Sequence, residues 1–150
     1  MRPLALAALT VLVPAATARI VPQQGIAGVR LDMTQAQVRA LLGPPPKVKH
    51  GSSDFGPYTR FTYPRVTVMF QGNAKVTSVW TQSPAEKTAG GAGVGSTEAQ
   101  VKAAVPAAVC KTQFGSRDCI VGKLVAGRRI TDFAIRRGRV TRVTVAYVLD

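Results

Sequence analysis

The sequence predicts an α+β fold of two tandem repeats, each a short helical segment packed on one face of a small, about three-stranded antiparallel sheet. Three observations predict it. Thr34 to Val38 reads TQAQV and Thr97 to Val101 reads TEAQV, so one helix-start phrase occurs twice. Lys75-Val76-Thr77-Ser78-Val79 is matched by Arg139-Val140-Thr141-Arg142-Val143 at nearly the same spacing. After each helix a proline stop precedes short runs of β-branched and aromatic residues bounded by turn signals. Two elements recurring in register make duplication the reading. A chain of 150 residues is one domain or two very small ones. Units of about 60 residues bury only about 60% of their unfolded surface, and two copies sharing a core would meet that shortfall.

Residues 1–18 read as a secretory signal peptide. Arg2 supplies the positive start, Leu4 to Val13 is apolar, Pro14 breaks the run and Ala16-Thr17-Ala18 fits an A-x-A cleavage site. The run is too short for a membrane span, which needs about 20 apolar residues. No cysteine follows it, so the mature chain is expected to be soluble, secreted or periplasmic, free of transmembrane helices and not lipidated. The rest divides into repeat 1, residues 19–87, and repeat 2, residues 88–150.

In repeat 1, Thr34 is the expected N-cap and Gln37 completes a capping box, with Met33 and Val38 as its hydrophobic staple. Val38, Leu41 and Leu42 form one apolar stripe. Gly43-Pro44-Pro45-Pro46 stops the helix. Strands are expected at 58–63, 66–71 and 75–81. Repeat 2 uses Thr97 and Gln100 for the box, Val101, Ala104 and Val105 for the stripe and Pro106 for the stop. Its strands are expected at 118–122, 130–135 and 140–149. Pro84 to Gly95 reads as a flexible linker rather than a phosphate cradle, since no strand leads into its glycines and no Lys-Ser/Thr follows.

Cys110 and Cys119 are the only cysteines, and export favours a structural disulfide between them. A metal site lacks partners, because His50 is the only histidine and lies far off in sequence. The charge, 20 Lys+Arg against 7 Asp+Glu for a net +13, favours acidic partners. It is dispersed along the chain, which disfavours a nucleic-acid footprint.

The stretch Leu31-Asp32-Met33-Thr34-Gln35-Ala36-Gln37-Val38-Arg39-Ala40-Leu41-Leu42-Gly43-Pro44-Pro45 resembles the BamE (SmpA/OmlA) family, whose small envelope domains open on such a phrase. Asp32 departs from the glycine usual there, and Gly95 restores it in the second copy. Two such units with a short disulfide in the second resemble the β-lactamase inhibitor protein architecture. The resemblance implies a helix on a three-stranded sheet, and action by binding proteins through sheet and loops.

No catalytic constellation, metal cluster or cofactor fingerprint is apparent. His50 sits in a basic stretch after three prolines, and the acidic residues are scattered. Alternation along the strands places Val143, Val145, Tyr147 and Leu149 inward with Val79, Phe61 and Tyr63. Trp80, Tyr58, Arg60 and Arg142 then fall on the open side and are the candidate protein-binding residues, being of types enriched at hot spots. Trp80 is alternatively a seal between the repeats. Arg128, Arg129, Arg136, Arg137 and Arg139 are candidates for contact with an anionic surface, or are solvated turn residues. The expected function is non-enzymatic binding of an envelope or secreted protein. The alternative is a structural envelope factor held to anionic wall polymer or lipid.

Overall fold

The computed structural model describes residues 19–150, and the signal-peptide assignment to 1–18 lies outside the described residues. A small meander comes first: β1 (Ile20–Val21), β2 (Gly25–Ile26) and β3 (Val29–Arg30). Then α1 (Gln35–Leu42) leads into β4 (Lys47–Ser53), β5 (Gly56–Thr62), β6 (Thr67–Gln71) and β7 (Ser78–Thr81). Further along, α2 (Glu98–Ala104) leads into β8 (Val109–Gln113), β9 (Ser116–Val121), β10 (Arg129–Arg136) and β11 (Arg139–Tyr147). Strands β4 to β11 form one antiparallel sheet in the order β4-β5-β6-β7-β11-β10-β9-β8.

This corrects the expected fold class. Strand outweighs helix by 47% to 11%, and one continuous eight-stranded sheet replaces two separate small layers. The physical reason is the pairing of β7 with β11, which sets Val79 against Val145 and Thr81 against Val143. Five strands lie outside the expected ranges: the short β1, β2 and β3 of the meander, and β4 and β8 at the sheet's edges. Edge strands β4 and β8 are exposed on both faces, so they carry no apolar alternation to betray them. His50 accordingly lies in β4 rather than in a loop, its Nδ1 3.1 Å from the Thr59 hydroxyl. At the other end, β11 stops at Tyr147 and leaves Leu149 exposed.

The helices begin as their phrases dictate. Thr34 Oγ1 accepts from the Gln37 backbone N–H at 3.2 Å while Gln37 Oε1 accepts from the Thr34 N–H at 2.9 Å. Thr97 and Gln100 repeat this at 3.2 and 2.8 Å. Each helix is short and buries a single valine completely, Val38 or Val101. Matching backbone hydrogen bonds anchor both: Asp32 to Val76 and Val76 to Met33 in one half, Gly95 to Val140 and Val140 to Ser96 in the other.

One face of the sheet carries the core. From β5 to β9 its inward residues include Phe61, Phe70, Val68, Val79, Val145, Val143, Phe133 and Cys119, all fully buried. The meander caps the middle of this face, with Ile20, Ile26 and Val29 buried and the Gln23 N–H donating to Thr131 Oγ1 at 2.6 Å. The glycine-rich segment corrects its expectation too. It is packed, not loose: Glu86 and Ala92 are fully buried, as nearly are Thr88 and Ser96. Added Cβ atoms at Gly93 and Gly90 would lie 2.4 Å from the Glu86 carbonyl and 2.8 Å from the Ala104 Cβ. At the β10–β11 turn, Arg137 and Gly138 both have positive φ, 52° and 78°, the twist a two-residue hairpin requires.

The disulfide joins Cys110 and Cys119, which are directly paired between β8 and β9. The bond ties the edge strand to the core, where Cys119 is fully buried. With nine residues of sequence separation, the chain-entropy model assigns the ring about 2.5–3 kcal/mol. Replacing both cysteines by serine should lower the unfolding free energy by about that amount, measured by urea titration under oxidising conditions. The loss of amide protection should begin in β8.

Candidate functional site

The face of the sheet opposite the core is the candidate site. Among the described residues no element lies across it, and its side chains from β5 to β9 are half-buried or exposed, never buried. Register builds it row by row. Lys47, Thr62, Thr67, Trp80, Thr144, Asp132 and Ile120 follow one another across the strands. A second row runs Lys49, Arg60, Met69, Ser78, Ala146 and Ile130.

The four candidate contact residues all lie on this face. Trp80 is half-buried on β7, and the Arg142 guanidinium stands 5.7 Å from its ring centroid, within cation–π range. Arg142 follows a bulge in β11, where Thr141 is the extra residue between the Ile135–Val140 and Ala134–Arg142 pairs; such bulges re-aim side chains. Tyr58 lies over Gly51 on the edge strand: a Cβ there would sit 2.6 Å from the Tyr58 ring carbon Cζ, so the ring would have to swing aside for any larger residue. Arg60 stands directly opposite Lys49. A depression of about 330 Å³ opens beside Trp80, lined also by Thr62, Pro64, Arg65 and Thr67.

The basic turns are not brought together. Arg128 and Arg129 lie at one end of β10 and Arg136, Arg137 and Arg139 at the other, separated by about 24 Å at strand rise. Arg129 is engaged on the core side. It donates to Asp32 Oδ2 at 2.8 Å and to the Tyr147 hydroxyl at 3.2 Å, and Tyr147 donates to the same Asp32 oxygen at 2.6 Å. Arg139 donates to the Gly95 carbonyl at 2.8 Å.

Two further residues were not singled out from the sequence: Asp118 and Asp132. They are diagonal neighbours on β9 and β10, since Asp132 pairs with Ile120 and Asp118 with Ala134. Burial pushes the Asp132 carboxyl up to about 7, and the neighbouring Asp118 charge and hydrogen bond push the same way. Asp132 Oδ1 is buried without a hydrogen-bond partner. Alternation places both outward, but the irregular connection from Gly122 to Arg128 hides the register that makes them neighbours.

Two other clusters have structural explanations. Glu98, Cys110 and Cys119 lie close together, but both sulfurs are committed to the disulfide and Glu98 accepts from Arg117 Nε at 3.0 Å. The Arg117 hydrogen bond holds the Glu98 carboxyl below its usual range. Glu86, fully buried, faces Arg19 Nε at 2.7 Å and Arg65 Nη1 at 3.8 Å, the pairing a buried charge needs.

No protein-family model matches the chain, and no curated protein gives a significant sequence match. Solved structures do share its fold. An extracellular protein containing a SCP domain from Bacillus anthracis aligns over 78% of this chain and 44% of its own, at a TM-score of 0.56 and 10% identity. A DUF4309 family protein from Bacillus subtilis aligns over 87% and 88%, at 0.51 and 12%. A cysteine-rich secretory protein from Staphylococcus aureus aligns over 84% and 47%, at 0.50 and 12%. The chain thus spans less than half the length of the first and third. These neighbours overturn the resemblance to the BamE (SmpA/OmlA) family and to the β-lactamase inhibitor protein. The phrase behind it is a capping box, a valine stripe and a glycine-proline stop, a local solution that a different sheet can carry.

The acid pair has a thermodynamic consequence. The folded Asp132 carboxyl holds its proton to about pH 7, against an ordinary value of 3.8. Its contribution to stability is therefore complete below about pH 4 and lost as pH rises through 7. Asp132→Asn should remove this slope, so that wild type loses on the order of 2 kcal/mol relative to the variant between pH 4 and 8. That figure is discounted from 1.36 kcal/mol per unit for solvent access. Denaturant titrations of both proteins across that range check it; parallel curves would contradict the assignment.

Proposed function

We propose that the chain is an exported, non-enzymatic binding protein that contacts another protein through the outer face of its eight-stranded sheet. The observation that carries this is Trp80, half-buried on an uncovered face with the Arg142 guanidinium within cation–π range. A large aromatic held by a guanidinium, with Arg60, Tyr58 and Met69 on the same face, is the composition of a binding hot spot. Neither Asp118 nor Asp132 lines the depression beside Trp80 or the one along β8 and β9, so neither of these places a substrate against the carboxyl pair, which favours binding over hydrolysis.

A location outside the cytoplasm is supported by the signal-peptide pattern and by the disulfide. Two structural neighbours are described as extracellular or secretory. No described helix is long and apolar enough to cross a membrane. A second reading, a structural envelope factor held by charge to anionic wall polymer or lipid, has one observation in its favour: Arg136 and Arg137 are exposed at the tip of the β10–β11 hairpin.

The two readings separate in one experiment. The purified mature chain is immobilised and used to capture proteins from its native envelope, and bound material is eluted by salt and then by denaturant. The Trp80→Ala/Arg142→Ala variant should capture at least about tenfold less, the equivalent of about 1.4 kcal/mol, with its circular dichroism unchanged. Capture that ignores the double substitution refutes the outer-face assignment. Retention on anionic polymer that falls with salt and ignores Trp80 would support the second reading instead.

A further inference from the structure

We propose that the partner presents an acidic, extended segment, which crosses the β4–β7 half of the outer face with carboxylates over Lys47, Lys49 and Arg60 and an apolar side chain beside Trp80. This rests on the outer-face reading above and names the chemistry of what binds there.

The charge pattern is the first argument. Lys49 and Arg60 are directly opposite across β4 and β5, and Lys47 is two residues along β4 on the same face. Like charges directly opposite are destabilising, and nothing nearby compensates them. Of the five ion pairs among the described residues, none includes Lys47, Lys49, Arg60 or Arg142. The outward carboxylates Asp118 and Asp132 lie on β9 and β10. From β5 to β10 is four strand steps, about 19 Å at strand spacing. That is more than twice the screening length of about 8 Å at physiological salt. Asp54 lies in the β4–β5 turn, five residues or roughly 15 Å along the strand from Lys49, so the counter-charges nearest in the sheet all lie beyond the screening length of Lys47, Lys49 and Arg60.

The second argument is what lies between those cations and Trp80. The floor is Thr62, Thr67, Met69 and Ser78, small or flexible side chains that are half-buried, and it ends at Trp80 and its depression of about 330 Å³. From β4 to β7 is three strand steps, about 14 Å, which an extended chain covers in four or five residues at about 3.3 Å each. Lys47 and Lys49 stand side by side on β4, about 7 Å apart at strand rise, and give two cations at the end where such a crossing segment begins. A bare anionic polymer has charge for Lys49 and nothing for Trp80. A lipid surface offers no projecting side chain to fill the depression. A peptide with both acidic and apolar side chains matches both ends.

Trp80 is the sole tryptophan, so its fluorescence reports the site directly. The probes are a synthetic peptide with glutamates at two alternate positions and a leucine two residues further on, so that acidic and apolar side chains face the sheet together, its lysine–leucine counterpart, polyglutamate, and phosphatidylglycerol vesicles. At low salt the glutamate–leucine peptide should shift the Trp80 emission of the oxidised mature chain, and Lys49→Glu/Arg60→Glu should bind it at least about tenfold more weakly. Lys49→Glu alone sets opposite charges across β4 and β5, so it should unfold at the same or a higher temperature while binding less. A purely structural role for Lys49 would not combine those two results.

Equal response to the lysine–leucine peptide overturns the proposal, because charge is then irrelevant. Equal response to polyglutamate or vesicles overturns it in favour of an anionic polymer or lipid. No emission change with any probe, alongside native capture still abolished by Trp80→Ala/Arg142→Ala, ends the acidic segment and leaves the outer-face reading standing. Capture indifferent to both sets of substitutions removes both.

Discussion

The structure depends on the pairing of β7 with β11. Without it, each half would present a four-stranded sheet with an unprotected inner edge and half a core. With it, Val68, Val79, Val145 and Thr131 form an unbroken buried row. Main-chain hydrogen bonds and apolar burial act at the same place, so register is strongly specified: a one-residue slip would turn Val79 and Val145 outward. The meander reinforces this seam, because Gln23 is bonded to Thr131 and β2 packs against β7. The two halves therefore share one cooperative core.

That seam also creates the surface on the other side. Trp80 and Arg142 belong to different halves, one on β7 and the other on β11, and they meet only because those strands are paired. Continuity likewise spreads charge along the sheet, with Lys47, Lys49 and Arg60 at one end and Asp118 and Asp132 towards the other. The helices and meander cover only the core side, which is how an antiparallel sheet comes to have one wet face.

Local signals in the sequence were accurate where the chain solves a local problem. Both capping boxes form, because Thr34 and Gln37, or Thr97 and Gln100, need no more than one helical turn to find each other. Inward positions such as Phe61, Val79 and Val143 followed from alternation. What could not be read was long-range. The β7–β11 pairing joins residues far apart in sequence, and nothing near Val79 names Val145 as its partner. Edge strands β4 and β8 were hidden because edges are exposed on both faces and avoid the apolar pattern that marks a strand. The family resemblance misled for a related reason: a helix-start phrase constrains one turn of backbone and leaves open how many strands follow. The glycine-rich segment was misjudged because glycine permits close approach as readily as freedom, and here Gly90 and Gly93 are used for close approach.

The places where local rules are broken are unevenly distributed, and that distribution bears on function. Lys49 opposes Arg60, Asp132 is buried beside the like charge of Asp118 with no cation paired to it, and Trp80 is left part-exposed. All three lie on the outer face. On the core side the comparable group is Glu86, a fully buried carboxylate whose two oxygens also lack a hydrogen-bond partner, but there Arg19 and Arg65 answer its charge. Sequences tend to be consistent across levels except where function demands otherwise. An arrangement that tolerates opposed cations on one face while matching the buried charge on the other is the arrangement expected if the outer face is completed by something the free chain does not contain.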